Sequence, residues 1–186
     1  MAILRGFDPQ RTVELAQRAW DLGIGAVEVP IGDAGQLPAL EAAVLAGRER
    51  GLPVGAGTVL TPEHVSAAAD AGAAYTIAPG LDVAVLTASV AAGMPHLPGV
   101  ATPTEVQQAV RAGCSWVKAF PASVLGPAWF REIHGPFPGL RLVATGGVDG
   151  HTASQYLAAG ARVVAVGSAL ADPTQLDLLA ALNTRR

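Results

Sequence analysis

Ser115-Trp116-Val117-Lys118-Ala119-Phe120-Pro121 holds the only lysine of the chain; the other eleven of its 12 Lys+Arg positions are arginine. The stretch reads as a strand interior, with Trp116, Val117 and Phe120 placing apolar groups around the amine. Two readings are open at this point. The side chain snorkels from a strand end or is salt-bridged inside the fold. Alternatively, burial disfavours the ammonium, lowers the pKa and frees an amine to attack a carbonyl. A guanidinium stays protonated and cannot do this, which gives a reason for lysine here and nowhere else.

Outward from this strand the chain repeats one unit eight times: a short apolar strand, a turn with Pro or Gly, and an alanine-rich helix ending near glycine. Strands are expected at Ala2–Gly6, Ala26–Pro30, Val54–Val59, Tyr75–Pro79, His96–Val100, Ser115–Phe120, Leu142–Gly146 and Val163–Gly167. Helices are expected at about Pro9–Leu22, Leu37–Arg50, Pro62–Ala71, Val83–Ala92, Pro103–Ala112, Pro127–His134, Thr152–Ala159 and Pro173–Asn183. Asp8-Pro9, Thr61-Pro62, Thr102-Pro103 and Asp172-Pro173 each set a capping oxygen before a proline at the first helical position. Thr102 with Glu105 has capping-box spacing. Gly23, Gly51, Gly72, Gly93, Gly113 and Gly160 suit left-handed C-terminal caps. Such alternation argues a parallel sheet covered by helices, and eight units argue an α/β protein with a small closed (β/α)8 TIM barrel, one domain over residues 1–186. An open doubly wound sheet is the alternative. The run Gly55-Ala56-Gly57 lacks the third glycine of a dinucleotide fingerprint.

Composition narrows the function. With 51% hydrophobic and 15% charged residues the chain is globular rather than disordered. A net charge of −3 and the lack of a basic run argue against a nucleic-acid partner. One cysteine, Cys114, excludes an internal disulfide framework and fits a reducing, cytoplasmic location. The start carries no charged and apolar leader pattern, and no apolar run approaches a membrane span. His64, His96, His134 and His151 have no ligand spacing, so neither a metal nor another cofactor is expected.

In a barrel the reactive end is the C-terminal end of the strands. Arg5, Glu28, Thr58, Lys118, Thr145 and the pairs Gly146-Gly147 and Gly167-Ser168 fall there. Glu28 and Lys118 are each costly to bury alone. In one lumen they form either a structural ion pair or an acid–base pair. The two glycine-bearing turns follow the last two strands, where barrels often bind phosphate on bare backbone N–H groups. Arg5 is a candidate clamp for a carboxylate or phosphate, or a plain surface arginine. Thr58 is a candidate carboxylate contact, or an ordinary strand threonine. Cys114, His96, His134 and Trp116 read as packing or surface residues.

These pieces, in this order, resemble the bacterial 2-keto-3-deoxy-6-phosphogluconate (KDPG) and 2-keto-4-hydroxyglutarate (KHG) aldolases and their 6-phosphogalactonate relatives. The pieces are Ala2-Ile3-Leu4-Arg5-Gly6, Val27-Glu28-Val29, Gly55-Ala56-Gly57-Thr58-Val59, Ile77-Ala78-Pro79-Gly80, Pro98-Gly99-Val100-Ala101-Thr102, Val117-Lys118-Ala119-Phe120-Pro121, Thr145-Gly146-Gly147-Val148 and Val166-Gly167-Ser168-Ala169-Leu170. The resemblance implies a metal-free lyase that cleaves a phosphorylated 2-keto-3-deoxy acid to pyruvate and glyceraldehyde 3-phosphate. Lys118 matches its imine-forming lysine and Glu28 its acid–base. Thr58 matches a residue near the pyruvyl carboxylate, and Gly146, Gly147 and Ser168 match its phosphate loops. Phe120 and Pro79 match pocket-lining positions, and a homotrimer is implied. Many phosphogluconate members have an arginine a few residues after the glutamate. Here Gly32 stands in that stretch, which leaves the carboxylate contact to Arg5. Val29-Pro30-Ile31 looks like the galactonate branch and Thr145 like the gluconate branch. Two other readings share the glycine loops: a phosphate-binding barrel of another type, such as an isomerase or a thiamine-phosphate-synthase-like enzyme, and a degenerate barrel that only binds.

Overall fold

The helix starts follow from side-chain oxygens that take up otherwise orphaned backbone N–H groups. Asp8 Oδ1 accepts from the Arg11 N–H at 2.8 Å, and Asp82 Oδ1 from the Ala84 N–H at 2.7 Å. Thr102 and Glu105 close a reciprocal box: Thr102 Oγ1 accepts from the Glu105 N–H, and the Glu105 carboxylate accepts from the Thr102 N–H. At the other ends Gly23, Gly51, Gly72, Gly93, Gly113 and Gly160 all take positive φ, as a left-handed cap requires.

The computed structural model describes residues 1–167 and positions 172, 174, 175, 178 and 181. Its strands are β1 (Ala2–Ile3), β2 (Val27–Pro30), β3 (Val54–Gly57), β4 (Thr76–Ile77), β5 (His96–Leu97), β6 (Gly99–Val100), β7 (Trp116–Ala119), β8 (Arg141–Thr145) and β9 (Ala161–Ala165). The helices are α1 (Pro9–Asp21), α2 (Leu37–Arg50), α3 (Pro62–Asp70), α4 (Val83–Ala91), α5 (Pro103–Arg111), α6 (Ala122–His134) and α7 (Ala153–Ala158). Among the described residues every strand pairing is parallel, β1 through β5 in one run and β6 through β9 in another.

The two runs close on each other. At one seam the Ile3 N–H donates to the Val166 carbonyl at 2.8 Å and the Val166 N–H to the Met1 carbonyl at 3.0 Å. At the other, the Lys118 N–H donates to the Pro98 carbonyl at 2.8 Å. The strand expected at His96–Val100 is thus two pieces, because Pro98 has no N–H to give to the ladder. It still occupies one position of the (β/α)8 ring, so β7, β8 and β9 are its sixth, seventh and eighth positions.

Period-two alternation sorts the side chains. Val27 and Val29 pack outward with Leu15, Ala19, Leu40 and Val65; Val117 and Ala119 pack outward with Val106, Phe130 and Ile133. That leaves Glu28 and Lys118, the residues between them, on the lumen side.

Other expectations change as well: the strand expected at Tyr75–Pro79 is regular only over Thr76–Ile77, and that expected at Val163–Gly167 lies at Ala161–Ala165. The strand at Val54–Val59 stops at Gly57, because Thr58 turns into the left-handed region with φ 56°. The strand at Ala2–Gly6 is regular only over Ala2–Ile3, and Gly6 leaves it at φ 77°. The helix expected from Pro127 begins at Ala122, with Gly126 (φ 72°, ψ 164°) interrupting it; Gly126-Pro127 reads as a helix start and hides the turn before it. Ser168 and the helix expected over 173–183 lie outside the described residues, apart from positions 174, 175, 178 and 181.

Candidate active site

The strand ends open into a cavity of about 520 Å³ lined by Ile3, Arg5, Phe7, Lys118, Phe120, Thr145, Gly146, Gly147, Val148, Asp149, Ala165, Gly167 and Gln175. Seven of the sequence candidates, Arg5, Lys118, Phe120, Thr145, Gly146, Gly147 and Gly167, therefore share one chamber. Register explains the grouping. Lys118 pairs with Gly99 on one side and Val143 on the other, and Thr145 pairs with Ala165. Gly99 has no side chain because a Cβ there would collide with the Pro79 carbonyl, which carries β4 close beside it.

Lys118 is only 4% exposed, and its amine lies 5.2 Å from the centre of the Phe120 ring. Burial pushes it below its ordinary value; the Glu28 carboxylate opposes this and Arg5 adds to it. Glu28 is fully buried, and neither carboxyl oxygen has a hydrogen-bond partner among the described residues. Burial pushes its carboxyl above the usual range, with Lys118 and then Arg5 drawing it back. Its side chain lies over Gly57, where an added Cβ would collide with Oε1 and stand 2.5 Å from Cδ. No ion pair joins Glu28 to Lys118 among the described residues. The two buried groups act on each other through their charges without a direct contact, and burial displaces each toward its neutral form.

Beneath them sits a residue that sequence reasoning missed. The Tyr75 ring fills the space a side chain at Gly55 would need, and its hydroxyl donates to the Val27 carbonyl at 2.7 Å. Burial, then the Glu28 charge, push this phenol upward, so it stays a neutral hydrogen-bond donor. The signal was Gly55 two residues before Gly57, on the same face of β3, opposite an aromatic residue at the head of the next strand.

Arg5 Nη2 donates to Thr58 Oγ1 at 3.0 Å, and both line a second cavity of about 420 Å³ with Gly32, Asp33 and Gln36. Thr58 thus touches the chamber through Arg5 rather than lining it. It also accounts for Gly32: a Cβ at residue 32 would lie 2.6 Å from Thr58 Cγ2, so the left-handed Thr58 occupies the place a longer side chain would take. Pro79 lines neither cavity.

At the far end, the N–H groups of Gly146, Gly147 and Gly167 donate to no acceptor among the described residues. Gly146 and Gly147 have φ 95° and 70°, which only glycine adopts without strain. Thr145 Oγ1 is buried and unpartnered beside them. Such a row of free donors suits an anion. Phe7, Val148, Asp149 and Gln175 are lining residues that the sequence did not single out. Among the described residues no group of His, Cys, Asp and Glu has the arrangement of a metal site, and no helix is long and apolar enough to cross a membrane.

A desolvated amine, an unpaired buried carboxyl, an arginine at the rim and bare N–H groups opposite define a barrel enzyme suited to covalent amine chemistry on a carbonyl compound with an anionic tail. The family model for KDPG and KHG aldolases matches residues 1–181, and the chain belongs to that family. It is 38% identical to the probable 2-dehydro-3-deoxy-6-phosphogalactonate aldolase of Rhizobium meliloti (strain 1021), over 93% of this chain and 82% of that protein. The native KDPGal structure superposes with a TM-score of 0.90 at 30% identity, covering 99% of this chain and 93% of that one. The Legionella pneumophila KDPG aldolase, solved with pyruvate captured as a covalent carbinolamine, superposes at 0.83 and 27% identity, covering 97% and 91%.

Proposed function

We propose that Lys118 is the imine-forming nucleophile and Glu28 the proton carrier of a class I aldolase that cleaves a phosphorylated 2-keto-3-deoxy sugar acid. The neutral Lys118 amine adds to the C2 ketone to give a carbinolamine. Glu28, whose carboxyl is pushed upward by burial, donates the proton that lets water leave, and an iminium remains. The Glu28 carboxylate then takes the proton of the C4 hydroxyl. The C3–C4 bond breaks, its electron pair moves into the iminium to form an enamine, and glyceraldehyde 3-phosphate departs. Protonation at C3 and hydrolysis release pyruvate and restore the amine. No metal is needed, because the iminium is the electron sink.

The observation that carries this reading is that the chain's one lysine is buried and lines the cavity, with Glu28 buried nearby, and that neither has an ion-pair partner among the described residues. Arg5, held by Thr58, takes the substrate carboxylate in place of an arginine that Gly32 cannot be. Phe120 packs against the pyruvyl carbons. Thr145 supplies a hydroxyl beside C4. Gly146, Gly147 and Gly167, with Ser168, take the phosphate. Two relatives named for the phosphogalactonate reaction make that epimer the substrate we assign first. One catalytic domain over residues 1–186, a homotrimer and a cytoplasmic location complete the reading.

Pyruvate release coupled to NADH oxidation tests it on both epimers. Glu28→Gln lowers kcat about 10²–10⁴-fold. Lys118→Arg abolishes cleavage while the far-ultraviolet circular dichroism stays that of the wild type. Retained cleavage by Lys118→Arg, or an unchanged rate in Glu28→Gln, removes that residue from the mechanism.

A further inference from the structure

The far wall of the chamber is made by the loop after β8 and, from the chain after β9, by Gly167 and Gln175. Free N–H groups on both can serve one anion only if the gap between them is fixed. Gln175 ties Gly150, in the loop after β8, to Asp172, which lies beyond Gly167. It lines the cavity, its Oε1 accepts from the Gly150 N–H at 3.1 Å, and its Nε2 donates to Asp172 Oδ2 at 3.3 Å. Asp172 is itself anchored, since Oδ1 accepts from the N–H and hydroxyl of Thr174 at 2.9 and 2.7 Å. The approach is close: a Cβ at Gly150 would stand 3.0 Å from Leu178 Cβ and 3.2 Å from the Gln175 carbonyl oxygen.

The neighbouring Asp149 has a different task. Its Oδ1 accepts from the His151 N–H, the Thr152 N–H and the Thr152 hydroxyl, which ties its charge to the turn before α7. The loop after β8 is therefore held at residue 149 by its own turn and at residue 150 by Gln175. Gly146 and Gly147, between this anchor and β8, remain free to donate.

We propose that Gln175 is a positioning residue for the anionic tail of the substrate: its carboxamide holds the loop after β8 in place at Gly150, and substrates without that tail do not sense it. This rests on the aldolase reading above, and the test keeps the two apart. Pyruvate has no phosphate, yet Lys118 and Glu28 exchange its methyl protons through the same enamine. Exchange in D₂O, followed by NMR, therefore reports the chemical end of the chamber alone.

Gln175→Ala is expected to raise KM for the phosphorylated substrate about tenfold, the worth of a lost hydrogen-bonded anchor. It should change kcat less than about threefold, leave pyruvate exchange within about twofold of wild type, and weaken competitive inhibition by inorganic phosphate. Gln175→Met keeps the length of the side chain without its amide and is expected to show the same split, which covers the case in which the alanine variant misfolds. An unchanged KM in both variants overturns the proposal. So does a parallel fall in pyruvate exchange, which would mean a general structural role. A wild-type enzyme that exchanges no pyruvate protons overturns the aldolase reading itself, and this proposal with it.

Discussion

Gly57 is the glycine whose loss bears most directly on Glu28. A Cβ at that position would collide with Glu28 Oε1 and stand 2.5 Å from Cδ and 2.6 Å from Cγ, whereas ordinary contacts begin near 3.4 Å. The carboxyl group must move by about 1 Å, and a misplacement of that size costs about 10²-fold in rate. Glu28 is fully buried, so the shift is resisted by its neighbours. Overpacking of this kind costs about 1–3 kcal/mol, and in a chain of this size each kcal/mol lowers Tm by about 2–4 °C. Gly57→Ala is therefore expected to lose about 2–12 °C in Tm and about a hundredfold in kcat. Gly25→Ala is the control: nothing lies within 4 Å of a Cβ there. Differential scanning calorimetry and the coupled pyruvate assay measure both. A Gly57→Ala enzyme indistinguishable from Gly25→Ala would refute the placement of Glu28 over β3.

Gly32→Ala forces the Thr58 methyl aside and loosens the Arg5–Thr58 hydrogen bond, so KM for pyruvate-containing substrates rises while Tm changes little; steady-state kinetics decide it. His96 is held down at about 4 by burial, with its Nδ1 bonded to Thr76 Oγ1 at 2.7 Å and Nε2 unpartnered. Between its ordinary 6.5 and about 4 the unfolded chain binds a proton that the folded chain refuses. Stability therefore falls as pH drops through that window, and His96→Leu is expected to flatten the acid limb of a Tm-against-pH curve. Thr102→Ala removes one half of the capping box on α5 and is expected to cost about 1 kcal/mol by urea unfolding, without changing KM.

What the sequence made legible was local. Proline at N1, a capping oxygen before it and a glycine after the last turn are read from adjacent residues, and they place α1, α3 and α5 within a residue or so of where they lie. The lumen position of Glu28 and Lys118 was legible too, because period two puts them opposite Val27, Val29, Val117 and Ala119. Contacts across strands were not. That Glu28 needs Gly57, that Tyr75 needs Gly55, and that Thr58 excludes a side chain at Gly32 depend on register between segments about 20–30 residues apart in sequence. Thr58 misleads most directly: a β-branched residue after an apolar run reads as strand, while tertiary packing holds it at φ 56°. Pro98 carried the information for the split strand, since its missing N–H is a property of the residue alone.

The central claim is that Lys118 forms an imine. The protein is incubated with pyruvate and borohydride, digested, and the peptides weighed. Since the chain has one lysine, the only other amine is the N-terminus, and the two are told apart by peptide. A single reduced pyruvyl adduct is expected on the peptide containing Lys118, with its formation slowing as pH falls through the depressed pKa of the amine. Folded protein that carries no adduct, or carries it only on Met1, would contradict the account.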